Sequence, residues 1–121
     1  MQKNASSDLQ LTTTLTDVPG LSQSLDAGNW KIEVCLLFSE QGTGDEGQTA
    51  VFVLVQGSTQ LNGAGLVRLY DSQFQTTCFN WLIDLSSDTT VKVQARKSAG
   101  TGTSKVLSGN ESSRLVATEE P

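Results

Sequence analysis

The stretch from Trp30 to Ser39 alternates strictly between two sets of side chains. The first set is wholly apolar and contains Trp30, Ile32, Val34, Leu36 and Phe38. The second set is mixed and contains Lys31, Glu33, Cys35, Leu37 and Ser39. Because successive side chains of a β-strand point to opposite faces, this period of two predicts a long strand with one face in a core. Turn-forming residues at 26–29 lead into it, and Pro19-Gly20 predicts an earlier reversal. Other strands must pair beside this central one.

Further runs separated by turn-forming residues predict strands on both sides of the central one, including a second long alternating strand at 75–85 and a strand at 50–56 that is apolar on both faces. These runs are 11–15, 50–56, 66–70, 75–85, 90–96, 106–107 and 113–119. Such a pattern, without a convincing helix, is typical of a single antiparallel β-sandwich with jelly-roll topology. Residues 1–9 are polar and aperiodic, so we expect a flexible N-terminal arm followed by a jelly-roll domain at 10–121.

Composition excludes several classes of function. The 121 residues fit one domain with its own core. The net charge is −5 and the eight Lys and Arg residues are scattered, which argues against a nucleic-acid partner. No apolar run approaches the ~20 residues of a membrane span, so no membrane partner is expected. The first eight residues lack the apolar core of a secretion signal, so we expect the protein to be made and used without export.

Candidate chemistry is sparse. The chain has no histidine, the commonest general base and metal ligand, so we expect no enzyme activity, no metal and no cofactor. The glycine-rich loop at 40–48 offers Asp45 and Glu46 as calcium ligands or as a carboxylate pair for glycoside hydrolysis, but its irregular spacing favours a solvated loop. Trp30 and Trp81 could stack on sugars, yet both are in phase with apolar neighbours, which favours core packing.

Three segments together resemble a known family. Gly28 and Trp30 open the central strand, a leucine, an acidic turn and a valine-rich strand follow one another at 85–93, and a strand of small apolar residues closes the chain at 113–117. This order resembles the tumour-necrosis-factor-like jelly roll, a family that includes the globular head of the first complement component. The likeness spans about 11–119. The segment 16–22 also resembles small structural proteins of tailed bacteriophages, such as capsid decoration or head-fibre proteins. Ser87 departs from the glycine that the family often has.

The resemblance implies a trimer, in which three jelly rolls pack about a threefold axis through the sheet that holds the central strand. The outward face of the two longest strands is partly apolar, which a trimer interface would explain. The predicted interface residues are Cys35, Leu37, Cys78 and Leu82. The resemblance also makes the two cysteine-bearing strands neighbours. A disulfide would need directly opposed positions, and the expected reducing compartment favours free, buried thiols.

The function that this resemblance implies is structural. We expect a virion protein made in the host cytoplasm, a trimeric decoration or cement protein that binds the major capsid protein on the outside of a phage head. The polar arm would order on the capsid, and its candidate contacts are Gln2, Lys3, Asn4 and Asp8. The alternative is a receptor- or glycan-binding module of a phage fibre or spike. An enzyme is the third class and has least support.

Overall fold

The computed structural model describes residues 1–41, 44–70 and 73–120, with only the backbone given for Gln41. The described residues form eleven strands in two antiparallel sheets, and no helix occurs among them. The first sheet contains β1 (Gln2–Asn4), β2 (Leu9–Gln10), β4 (Gly28–Gln41), β8 (Phe74–Leu85), β10 (Thr103–Val106) and β11 (Arg114–Glu120). The second sheet contains β3 (Thr16–Leu25), β5 (Thr49–Gln56), β6 (Thr59–Gln60), β7 (Gly65–Arg68) and β9 (Thr89–Lys97). The predicted all-β sandwich is confirmed.

Each sheet is built around one central strand. In the first sheet, β4 pairs with β8 along one edge and with β11 and then β10 along the other. The short strands β1 and β2 pair outside β11 and β10. In the second sheet the order is β3, β9, β5, and the far edge of β5 pairs with β6 and β7. Among the described strands, the chain therefore crosses between the sheets at six connections, which are β2–β3, β3–β4, β4–β5, β7–β8, β8–β9 and β9–β10.

The core lies between the two sheets, where the alternation of β4 predicts it. The apolar set of β4 is 5% exposed or less throughout. Register places Trp30 opposite Ile83 and Ile32 opposite Trp81, so both tryptophans point into the sandwich. Phe52 of the second sheet meets Trp81 with ring centroids 6.2 Å apart. The indole N–H of Trp30 donates to the Asp26 carbonyl at 2.9 Å, which satisfies its one polar group. Core packing of both tryptophans is confirmed.

The predicted reversal at Pro19-Gly20 is wrong, because β3 runs through this dipeptide as an edge strand. Its pairing with β9 shifts register between Asp17 and Ser22, so residues 18–21 form an irregular bulge opposite Val93 alone. The bulge lets Val18 and Leu21, three residues apart, both point into the core at 3% and 0% exposure. Proline is tolerated on an edge strand because its missing N–H costs no ladder bond there.

The structure also corrects the prediction of a flexible arm at residues 1–9. Strand β1 pairs with β11, and the Ala5 N–H donates to the Ser113 carbonyl at 2.9 Å. The Ser6 N–H donates to the Pro19 carbonyl at 2.9 Å, so the segment crosses the β3 bulge. Gly20 permits this approach, since a Cβ there would lie 2.7 Å from the Asn4 carbonyl oxygen, and its φ is +85°. Ala5 is 7% exposed, so this segment belongs to the domain.

The remaining strand predictions hold with shifted bounds. The expected strand at 11–15 lies instead at Leu9–Gln10, while Leu11 is buried in the core. The strand expected at 106–107 is β10, which begins three residues earlier and pairs with β4.

Replacing Trp30 with alanine should lower the free energy of unfolding by about 3–5 kcal/mol, the range for removing a buried aromatic side chain. The loss combines apolar burial with the indole hydrogen bond. Urea unfolding followed by circular dichroism measures it. The adjacent, exposed Lys31→Ala is the control and should change stability by less than about 0.5 kcal/mol. Equal midpoints for the two variants would contradict the core position of Trp30.

Candidate assembly surface

The four residues predicted for a trimer interface all lie on the outer face of the first sheet. Register places Cys35 opposite Cys78, Leu37 opposite Thr76, and Leu82 opposite Lys31. Paired residues of an antiparallel ladder point to the same face, so β4 and β8 bring the four side chains together. Leu82 is 79% exposed, Leu37 is partly buried and Cys35 is only 2% exposed. Leu82 therefore offers most of the apolar surface that the prediction assigned to this group.

Cys35 and Cys78 form a disulfide with an S–S distance of 2.06 Å and a Cα–Cα distance of 4.1 Å. The expectation of free thiols is wrong, because the register opposes the two residues directly across β4 and β8. The bond links β4 to β8 and joins residues with a sequence separation of 43. The half-cystines thus act within one chain, and Cys78 is the partner that reaches the surface.

Among the described residues, three further apolar side chains are exposed on or between β7 and β8. Leu66 is 60% exposed, Tyr70 44% and Phe74 69%. They belong to β7, to the β7–β8 connection and to the start of β8. We call these three residues and Leu82 the β7–β8 margin. Sequence reasoning named only Leu82 among them, although two aromatic residues flanking a strand break were a visible signal.

Strand β8 is also an edge strand. Within the described residues it forms a ladder only with β4, so its second edge carries backbone groups outside any ladder there. An edge strand with exposed apolar side chains is a surface onto which another chain can pack or pair. The β7–β8 margin and the outer face of the first sheet therefore form the candidate assembly surface.

The residues predicted to contact a capsid are exposed but held against their own domain. The side-chain amide of Gln2 donates to Asn4 at 2.9 Å and to Glu111 at 2.7 Å, and Lys3 lies between them on β1. Asp8 accepts hydrogen bonds at 2.8 Å from both the backbone N–H and the hydroxyl of Ser108. These two bonds lower the pKa of the Asp8 carboxyl below its usual value. Their role as capsid contacts stays a prediction.

Asp45 lies in a buried ionic cluster at one end of the sandwich, so its reading as part of a solvated loop is wrong. Its carboxylate accepts from the Lys97 ammonium at 3.0 and 2.9 Å, from the Ser104 hydroxyl at 2.6 Å and from the Gly102 N–H at 2.9 Å. Asp45 and Ser104 are fully buried, Lys97 is 5% exposed and Glu40, beside them, is 2% exposed. Gly42 and Thr43 of the predicted loop lie outside the described residues.

Glycines allow this cluster to close. A Cβ at Gly100 would overlap an Asp45 carboxylate oxygen, and a Cβ at Gly102 would lie 2.8 Å from the Asp45 backbone nitrogen. The loops before β5 and after β9 therefore pack directly on each other. Glycine spacing in both loops was the only sequence signal for this contact, because 52 residues separate Lys97 from Asp45.

The cluster favours a charged Asp45. Burial alone would raise the pKa of this carboxyl, but hydrogen bonds from Ser104, Lys97 and Gly102 and the charge of Lys97 outweigh burial and lower it. A lowered pKa in the folded state means that the stabilisation is present above the ordinary carboxyl pKa and is lost as pH falls through the folded value. An ion-paired cluster thus stabilises the fold at neutral pH and weakens in acid.

Glu46, the second predicted calcium ligand, is exposed and does not share the burial of Asp45. Within 1–41, 44–70 and 73–120, no group of three or more Cys, Asp or Glu residues is arranged to hold a metal ion. The same ranges contain no helix long and apolar enough to cross a membrane.

Neither a protein-family model nor a curated protein matches this sequence. Solved structures do match the fold. Eiger TNF from S. frugiperda is 12% identical, with 99% of this chain and 90% of that chain covered and a TM-score of 0.68. Murine APRIL is 12% identical over 94% of this chain and 98% of that chain, with a TM-score of 0.60. The chain has the tumour-necrosis-factor-like jelly-roll fold. The predicted resemblance is confirmed at the level of fold.

A viral particle protein shares the same fold. The protein of T=1 particles derived from infectious bursal virus is 15% identical to this chain, with a TM-score of 0.63. The match covers 98% of this chain and 31% of the viral chain. The present chain therefore corresponds to one jelly roll within that larger viral protein. The shared fold is compatible with both structural and ligand-binding roles.

Removing the disulfide by a Cys35→Ala/Cys78→Ala double substitution should lower the free energy of unfolding by about 2–4 kcal/mol, because the open chain gains conformational freedom when unfolded. Urea unfolding of the oxidised wild type and the double variant measures the difference. Wild type treated with reductant is the matched control and should approach the variant. Identical midpoints in all three samples would contradict a closed bond.

Replacing Lys97 with methionine should cost about 3–5 kcal/mol at neutral pH, because it leaves the Asp45 carboxylate buried beside an apolar side chain. Lys105→Met is the matched control, since Lys105 lies on β10 outside the cluster and is partly exposed. Unfolding curves at pH 7 compare the two variants. A loss at Lys97 no larger than at Lys105 would contradict the buried pairing.

Proposed function

We propose that this chain is a non-enzymatic structural protein of a virus particle, a homotrimeric jelly roll that binds the major capsid protein on the outside of a tailed-phage head. The observation that carries the proposal is the candidate assembly surface, with Leu82 79% and Phe74 69% exposed on a long edge strand. A lone copy would leave this surface in water, whereas contact with other copies would bury it.

The fold provides a second argument for this role. The tumour-necrosis-factor-like jelly roll implies packing about a threefold axis through the sheet that holds β4. The outer face of that sheet carries Lys31, Glu33 and Arg114 beside Leu82 and Val116, so polar and apolar contacts alternate across it. Such a mixture suits an interface that also fixes the orientation of its partners. The likeness to a viral particle protein supports a place in a virion.

Residues 1–8 would then act as a surface contact to the capsid rather than as a mobile arm. Lys3 and Asp8 are exposed on one side of the domain, near the β1 edge of the first sheet. Because Gln2–Asn4 is already paired with β11, binding through this edge needs little further ordering of the chain.

A second candidate function is receptor or glycan binding. A surface depression of about 350 Å³ on the second sheet supports it, with an apolar floor of Val51 and Val53 and a polar wall of Gln60, Asn62 and Arg96. Apolar contact with a few convergent polar groups is the usual composition of a ligand site. This depression lies on the second sheet, whereas Leu82 and Phe74 lie on β8 of the first sheet, so Arg96 and Leu82 can be mutated separately. Leu66 pairs with Val51 at the floor of the depression and belongs to neither test.

The trimer is tested by light scattering and native mass measurement of purified protein at micromolar concentration. We expect a mass three times 12.9 kDa. Leu82→Asp should weaken association by about 100-fold or more, because an unpaired charge in a buried interface costs ~3 kcal/mol. Ser58→Asp, in the exposed β5–β6 turn, is the control and should remain trimeric. Cryo-electron microscopy of particles should then show many copies over the head lattice.

A wild-type chain that is monomeric at this concentration would contradict the assembly surface. Trimers found at a single vertex or at the tail would instead favour the receptor-binding candidate. In that case Arg96→Ala should abolish attachment to host cells and leave the mass unchanged.

A further inference from the structure

We propose that Lys97 and Asp45 are joined by an intramolecular amide bond, formed by condensation of the Lys97 amine with the Asp45 side-chain carboxyl and assisted by Glu40. The inference rests on the buried cluster alone and is independent of any role in a particle. It assigns the β9 end of the second sheet a covalent link to the β4–β5 connection.

The reacting groups are already in contact. The Lys97 Nζ lies 3.0 Å from Oδ1 and 2.9 Å from Oδ2 of Asp45, so the amine is held against both oxygens of the carboxyl group. The two side chains are 6% and 0% exposed, and the surrounding sandwich fixes both of them. Reactants held in this way react as if one were present at roughly 10⁵–10⁸ M.

Two further hydrogen-bond donors contact the oxygens of the carboxyl group. The Gly102 N–H donates to Oδ1 at 2.9 Å, and the Ser104 hydroxyl donates to Oδ2 at 2.6 Å. When Nζ attacks, negative charge grows on one of these oxygens in the tetrahedral intermediate. Donors that are fixed in place before the reaction stabilise that charge without reorganisation. The Gly102 carbonyl accepts from Lys97 at 2.9 Å and holds the amine in line.

The reaction balances without a co-reactant. An ammonium and a carboxylate become an amide and one water molecule: one Nζ proton passes to a carboxylate oxygen, the free amine forms the N–C bond, and a second Nζ proton accompanies the departing oxygen. The relay of a proton is assigned to Glu40, because its side chain is buried beside the pair. Its Oε1 and the Asp45 Cγ lie 3.2 and 3.1 Å from one point, the position that a Cβ of Gly102 would occupy.

Burial supplies the driving force. Two charges held away from water carry a desolvation cost that a neutral amide does not. The packed loops also leave the product protected, because Asp45 and Ser104 have no exposed surface from which water could hydrolyse the bond.

The test is the intact mass of the full chain, purified, incubated at neutral pH and then denatured with its disulfide reduced. We expect a species lighter than the sequence mass by one water molecule. Tryptic mapping should give a branched peptide joining the segment that begins at Lys97 to the segment that carries Asp45. Lys105→Arg is the matched control and should show the same mass loss, whereas Lys97→Arg should have its full sequence mass.

Glu40→Gln removes the proposed proton relay but leaves the Lys97 amine and the Asp45 carboxyl in place. It should slow the mass loss by about 100-fold. A wild-type mass that stays at the sequence value, with separate tryptic peptides, would overturn the proposal and leave the cluster an ion pair. A mass loss that maps to residues other than Lys97 and Asp45 would overturn it as well. Unchanged kinetics in Glu40→Gln would overturn the role given to Glu40.

Discussion

The ladder between β4 and β8 is the constraint on which the rest of the structure depends. It runs without interruption from Gly28 opposite Leu85 to Ser39 opposite Phe74. This single register turns both tryptophans inward, opposes the two cysteines and leaves Leu82 outside. A slip of one residue would reverse the faces of one strand, which would expose its core residues and separate the sulfur atoms. Core, cross-link and candidate assembly surface therefore follow from one pairing.

Much of the fold could be predicted because its long strands alternate cleanly. The faces of β4, β8 and β9 follow from the period of two, and the tryptophans are buried as expected. Strand β3 was not predicted because its bulge interrupts the period of two between Val18 and Leu21. The N-terminal strand β1 was not predicted because backbone hydrogen bonds hold this segment in place. The buried apolar side chain next to the strand is that of Ala5. Polar sequence gives no sign of such pairing.

The candidate sites were less predictable than the fold. Leu82 was identified because its outward position follows from the alternation of β8. The pairing of Cys35 with Cys78 needed a register that no single strand reveals. The partner of Asp45 is Lys97, which is distant in sequence and on the other side of the sandwich from β4. A carboxylate flanked by glycines is equally compatible with a solvated loop and with a buried ion pair. Only the tertiary contacts of the folded chain distinguish the two.

The closed disulfide restricts how copies of this chain can combine. An edge strand that can detach is free to complete the sheet of a neighbour, which produces domain-swapped dimers and open chains of subunits. Because Cys78 ties the middle of β8 to β4, this strand cannot leave its own sheet while the bond is intact. Copies of this chain that associate through β8 must therefore meet as folded subunits, so oxidation before assembly would exclude assemblies built by exchange of this strand.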